Sequence, residues 1–129
     1  LHTSSFSQAL AAEFVAGGYL KEHLPKIIEL YRPKQEAMLA AMDEYFPQGF
    51  TWSKPEGGMF IWAEGPTGMD ALKLYDEAIN NQVAFVPGRY FYTEEGAGSN
   101  TLRLNFTMAD ETTIRAAIER LAKAMKKFV

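Results

Sequence analysis

Apolar positions recur first at helical spacing, then at strand spacing, then at helical spacing again, and that order predicts the elements. Ser5 and Gln8 stand three apart as in a capping box, with the Ser5 hydroxyl placed to accept from the Gln8 amide. Phe6, Leu10 and Phe14 then follow at four-residue steps, and Gly17-Gly18 supplies a left-handed stop. A second helix is predicted over about 20–45, with Leu24, Ile28, Tyr31, Met38, Met42 and Tyr45 on one stripe. Pro33 lies inside it and has no amide to give to the turn before, so a kink is expected there rather than a break.

The period then changes. Residues 50–53 and 59–63 are rich in aromatic and β-branched residues and predict two strands around the turn at Pro55-Glu56-Gly57-Gly58. A helix over 70–80 follows, with Asp70 as N-cap and Leu72, Tyr75 and Ile79 facing inward. Residues 83–86 read as a short buried strand ended by Pro87-Gly88, and 96–99 as a loose Gly-rich loop. The clearest strand covers 101–107, where Leu102, Leu104 and Phe106 alternate with Thr101, Arg103, Asn105 and Thr107. A last helix over 110–128 carries Ile114, Ile118, Leu121, Met125 and Phe128 on one stripe, acidic at its start and basic at its end. The sum predicts an α+β two-layer sandwich: a small mixed sheet of three to four strands with helices packed on one face. The other face would be free, and if it carries the polar row of the 101–107 strand, Arg103 points toward a partner rather than into the core.

Composition narrows the chemistry. The 129 residues make one domain the natural reading, and a net charge of −3 argues against nucleic acid or an anionic membrane as the main partner. No apolar run approaches a membrane span. Cysteine is absent, which removes disulfides and thiolate metal sites and fits a reducing compartment, with the cytoplasm as the expected location. The chain opens at once on a helix-start pattern and without methionine, which suggests a piece of a longer protein. His2 and His23 have no carboxylate or serine at catalytic spacing, and His23 is expected to cap or pack on its helix. Glu94-Glu95 is expected to be solvated. No phosphate-binding loop, nucleophile elbow or metal-ligand cluster is present. Arg103 is the exception. It is either a surface arginine with a buried stem or, beside Asn105 on a polar face, a planar fork able to hold a carboxylate through two parallel hydrogen bonds.

Three segments resemble one family. Asn100-Thr101-Leu102-Arg103-Leu104-Asn105-Phe106 resembles the arginine-bearing segment of the class I and II, fold-type I aminotransferases. Pro55-Glu56-Gly57-Gly58-Met59-Phe60-Ile61-Trp62 resembles that family's glycine hairpin, and Val83-Ala84-Phe85-Val86-Pro87-Gly88-Arg89-Tyr90-Phe91 its strand and Pro-Gly turn. The segments stand in family order, and 3–8 and 18–24 also match, closest to the branch of 2-aminoadipate and aromatic aminotransferases and aminotransferase-like regulators.

The resemblance implies that residues 1–129 are the C-terminal small domain of such an enzyme, with 1–18 the helix linking from a large domain. It implies that Arg103 binds the α-carboxylate of an amino or 2-oxo acid, that Asn105, Gly57 and Gly58 lie at the substrate, and that Ser4 and Ser5 lie near the cofactor phosphate or the dimer seam. Pyridoxal 5'-phosphate is implied for the intact parent, as is a homodimer formed through the large domain. No segment here matches the family's Schiff-base lysine motif. Lys54 follows Ser53 but heads the hairpin and reads as surface, so no bound cofactor and no catalysis are expected of this stretch alone. Two other readings stay open: an effector-sensing domain of a transcription regulator, and a free-standing ligand-binding module.

Overall fold

The computed structural model describes residues 2–128, which divide into two compact units with the boundary between Arg32 and Pro33. The first unit is helical. Helix α1 runs Ser5–Ala16, and α2, Tyr19–Tyr45, begins in this unit and continues into the second. The N-cap of α1 is Ser4 rather than Ser5: its hydroxyl accepts from the Ser7 amide at 3.4 Å, while the Gln8 side chain turns back to Thr3. The cap is therefore set one residue earlier than the Ser5–Gln8 spacing predicts. Gly18 takes the left-handed conformation after α1, with φ +80°. No residue of α1 is buried, and Phe6, Leu10 and Val15 stay exposed. Helix α2 passes through Pro33 without interruption. His23 on it is exposed.

The second unit holds the core. Strands β1 (Thr51–Trp52), β2 (Phe60–Glu64), β3 (Val86–Pro87) and β4 (Thr101–Asn105) form one sheet in the order β1-β2-β4-β3. Helix α3 (Ala71–Asn80) joins β2 to β3, a 3-10 turn (Gly88–Phe91) follows β3, and α4 (Glu111–Met125) closes the chain. The α+β class and the one-sided helical layer are as the pattern predicts, but the sheet is antiparallel throughout rather than mixed. The reason is topological. β2 and β3 run in the same direction on either side of α3, as a parallel crossover unit would, but β4 inserts between them and is antiparallel to both.

Alternation fixes which face is buried. Ile61 and Ala63 of β2 lie opposite Leu104 and Leu102 of β4, and all four are shut off from solvent. Met38, Ala41 and Met42 of α2, with Ala71, Leu74 and Ala78 of α3 and Ile114, Ile118, Leu121 and Met125 of α4, supply the helical half of the core. The buried stripe of α3 is thus Ala71-Leu74-Ala78, not Leu72-Tyr75-Ile79. Ile79 is 46% exposed and Leu72 and Tyr75 sit at the margin. Two alanines and one leucine make up the buried stripe, and Leu72, Tyr75 and Ile79 lie outside it.

Polar contacts fasten the helices. Asp70 caps α3 by accepting from the Leu72 amide at 2.9 Å, and Asp110 caps α4 by accepting from the Thr113 amide at 2.7 Å. Arg115 of α4 pairs with Glu44 of α2 and donates to the Tyr45 hydroxyl at 2.9 Å. The Arg115 hydrogen bond, aided by Tyr45, holds the Glu44 carboxyl below its ordinary value. Because the folded state favours the ionised form, this pair contributes stability above the unfolded glutamate range, at about pH 4.3. The contribution is lost as pH falls through the lower folded value. Glu44→Gln is expected to lower Tm at neutral pH and to converge on the parent in acid. Melting curves that stay parallel from neutral pH down through the glutamate range would show that the pair has no such linkage.

Candidate functional site

The sheet face turned away from the helices carries Phe60 and Trp62 of β2, Arg103 and Asn105 of β4, and Val86 of β3. Register places Trp62 and Val86 on either side of Arg103, and Phe60 opposite Asn105. Arg103 therefore stands on a central strand, on the open face, as the alternation predicts. Its guanidinium carbon lies 4.0 Å from the centroid of the Phe60 ring and 4.5 Å from that of Phe91. Trp62 braces Phe91 edge-on at 5.7 Å and lies 6.2 Å from Tyr92.

Electrostatically the arginine is unfinished. Its Nε is buried and has no hydrogen-bond partner, and no carboxylate among the described residues pairs with it. A half-buried guanidinium calls for oxygens to accept its hydrogens. The two aromatic rings offset part of that need through their negative faces. They cannot accept the in-plane N–H bonds, which leaves the fork chemically able to give two parallel hydrogen bonds to a planar, two-oxygen anion.

The 3-10 turn positions Phe91. Gly88 opens that turn against β4, where an added Cβ would fall 2.7 Å from Thr101 Cβ and 2.9 Å from Trp62 Cη2. Only glycine fits the approach. Thr101, on the polar row by alternation, is consequently buried, 3% exposed, and its hydroxyl donates to the Gly98 carbonyl at 2.7 Å. The turn covers a residue that alternation alone assigns to solvent.

The other sequence-derived candidates fall as follows. Asn105 is exposed beside Phe60 on the same face, but its Oδ1 already accepts from the Thr107 amide at 2.8 Å and the Thr107 hydroxyl at 3.0 Å, closing the end of β4. Gly57 and Gly58 lie on the exposed loop just before Phe60. Gly58 has φ +83°, and neither has an atom within 4 Å of an added Cβ. The loop is tethered from α2 by Gln35, which donates to the Pro55 carbonyl at 2.6 Å. Lys54 is exposed. Ser4 and Ser5 belong to the first unit and are exposed, with the Ser4 hydroxyl engaged as a helix cap. Sequence spacing found Arg103 but not Phe60 and Phe91 as its neighbours. The aromatic-rich runs flanking Gly58 and Gly88 were the available signal.

Pyridoxal phosphate needs a lysine amine to anchor it and a cradle of donors for its phosphate. An exposed Lys54, a Ser4 hydroxyl spent on its own helix and the helical Ser5 do not supply these. Among the described residues, no helix is long and apolar enough to cross a membrane.

The fold is a helix-backed antiparallel sheet with an arginine fork on its open face. The chain belongs to the class I and II aminotransferase family, whose model matches residues 1–121. It is 48% identical over 127 residues to aromatic-amino-acid aminotransferase 1 of Thermococcus litoralis, covering 98% of this chain and 30% of that protein. It is 40% identical to 2-aminoadipate transaminase of Thermus thermophilus, covering 98% of this chain and 31% of the relative. The crystal structure of the multiple substrate aminotransferase of Thermococcus profundus superposes with a TM-score of 0.87 at 48% identity, over 95% of this chain and 30% of that one. The chain thus spans about a third of the length of these relatives and corresponds to part of an aminotransferase.

Proposed function

We propose that this chain is the C-terminal small domain of a pyridoxal-phosphate-dependent aminotransferase, with residues 1–18 leading in from a large domain. In that reading it binds the α-carboxylate of the amino acid or 2-oxo acid through Arg103. The observation that supports the reading is the half-buried Arg103 guanidinium, set against two rings on an open sheet face with no carboxylate among the described residues paired to it. The transfer of the amino group belongs to the rest of the protein. What these residues contribute is a fixed fork for a carboxylate, which sets the orientation of the substrate about its Cα, and an aromatic wall that keeps water from that contact.

The proposal is tested from the substrate side in the full-length protein, by comparing an α-amino acid with its primary amide as amino donor. Removing the carboxylate charge is expected to lower kcat/KM at least about 100-fold, the size of two lost charge-assisted hydrogen bonds. In Arg103→Leu the two donors should become nearly equal. Equal rates in the parent, or no amino-group transfer to any 2-oxo acid, would overturn the reading.

A further inference from the structure

We propose that Phe60 and Phe91 are positioning residues for Arg103, fixing the plane and the exposed edge of its guanidinium. This rests on the reading of Arg103 as the carboxylate clamp and specifies how the clamp is made.

An arginine side chain has four rotatable bonds, and a fork that wanders cannot offer two parallel hydrogen bonds in one direction. Here the fork has lost that freedom. Phe60, diagonal to Arg103 across the β2–β4 ladder, and Phe91, from the 3-10 turn, each lie under 5 Å from the guanidinium carbon. Ring faces attract the guanidinium perpendicular to its plane and leave its in-plane hydrogens unspent. The Nε edge is buried and unpartnered, so the fork presents the edge formed by its two terminal nitrogens. A carboxylate docking on that edge meets both N–H groups at once, in a plane that the protein has chosen beforehand.

Phe91 is itself held from two directions. Trp62 packs edge-on against it, and Gly88 lets the turn sit directly on Thr101 and Trp62. The chain therefore places a tight turn, a glycine contact and three aromatic side chains around one cation that makes no ion pair among the described residues. Phe91 is 48% exposed, so its truncation leaves the core of the unit intact.

The experiment is a kinetic comparison in the full-length protein of Phe91→Leu, Phe91→Tyr, Arg103→Leu and the double variant Phe91→Leu/Arg103→Leu. Alanine and an aromatic amino acid serve as donors. Phe91→Leu is expected to lower kcat/KM about tenfold, equivalent to ~1.4 kcal/mol, chiefly through KM and equally for both donors. Phe91→Tyr, which keeps the ring face, should restore it, and the double variant should be no worse than Arg103→Leu alone. A loss confined to the aromatic donor would mean that Phe91 touches the substrate side chain instead, and would overturn the proposal. So would unchanged kinetics in Phe91→Leu, or additive losses in the double variant. If Arg103→Leu itself retains full kcat/KM, the carboxylate clamp falls, whereas a large loss there with none in Phe91→Leu removes only the positioning role.

Discussion

Arg103→Leu in the full-length protein is expected to lower kcat/KM for α-amino acids by roughly 100- to 10,000-fold, from two charge-assisted hydrogen bonds at about 1.5–3 kcal/mol each. Arg103→Lys should fall between the parent and this variant. An ammonium keeps the charge, but it is a point donor that cannot present two parallel N–H groups, and it fits less well between two rings. The fold should not suffer. The Arg103 Nε is buried without a partner, so leucine removes an uncompensated polar atom from a strand position flanked by Trp62 and Val86. Tm is expected to hold or rise while catalysis collapses. Steady-state kinetics and thermal melts on the same preparation check both halves. A variant that loses activity only in proportion to lost stability would reduce Arg103 to a structural residue.

Phe106→Ala is expected to carry the largest stability cost among single changes in the sheet. Phe106 follows β4 directly, is 1% exposed, and its amide donates to the Met59 carbonyl at 3.2 Å, at the mouth of the β2–β4 pair. Truncating a buried phenylalanine removes its transfer energy and leaves a cavity, together about 3–5 kcal/mol. Against a total stability of about 5–15 kcal/mol that is a large share, and Tm should fall by at least ~12 °C at this size. Leu10→Ala on α1 is the contrasting control. Leu10 is 62% exposed, so its loss should change Tm little. Urea denaturation of the two variants separates them, and equal midpoints would show that Phe106 is not part of the cooperative core.

Arg103 was legible because Leu102, Leu104 and Phe106 alternate with polar residues along β4 and just past it, and a period of two assigns a face to every residue between. Thr101 broke that rule only because a turn remote in sequence covers it. The helix cap at Asp70 was legible because capping is local chemistry, although the cap of α1 sits one residue before the spacing-predicted Ser5. The stripe of α3 was misread because its buried positions are largely alanines, which carry little apolar signal, while the bulkier Ile79 draws the eye and lies outside the stripe. The strand expected over 83–86 shrank to Val86–Pro87. Val83 and Phe85 are buried, but in irregular chain against α3, where the Val83 amide donates to the Ala78 carbonyl and Phe85 meets the Tyr75 ring. The ring pair around Arg103 could not be found from spacing. Phe60 reaches it through a cross-strand diagonal and Phe91 through a turn, and both depend on register that only the folded chain supplies.

Pro87 occupies one outer strand, and the strand at the opposite edge is only two residues long. Fibril growth by strand addition needs a row of unspent amides and carbonyls long enough to template a newcomer. Proline withholds its amide and a two-residue strand offers too short a row, so the sheet is blunt at both ends. Self-association of this unit, if driven at all, has to proceed through side chains on a face. A protein whose edges are closed in this way can leave an aromatic, cation-bearing surface uncovered without inviting cross-β polymerisation.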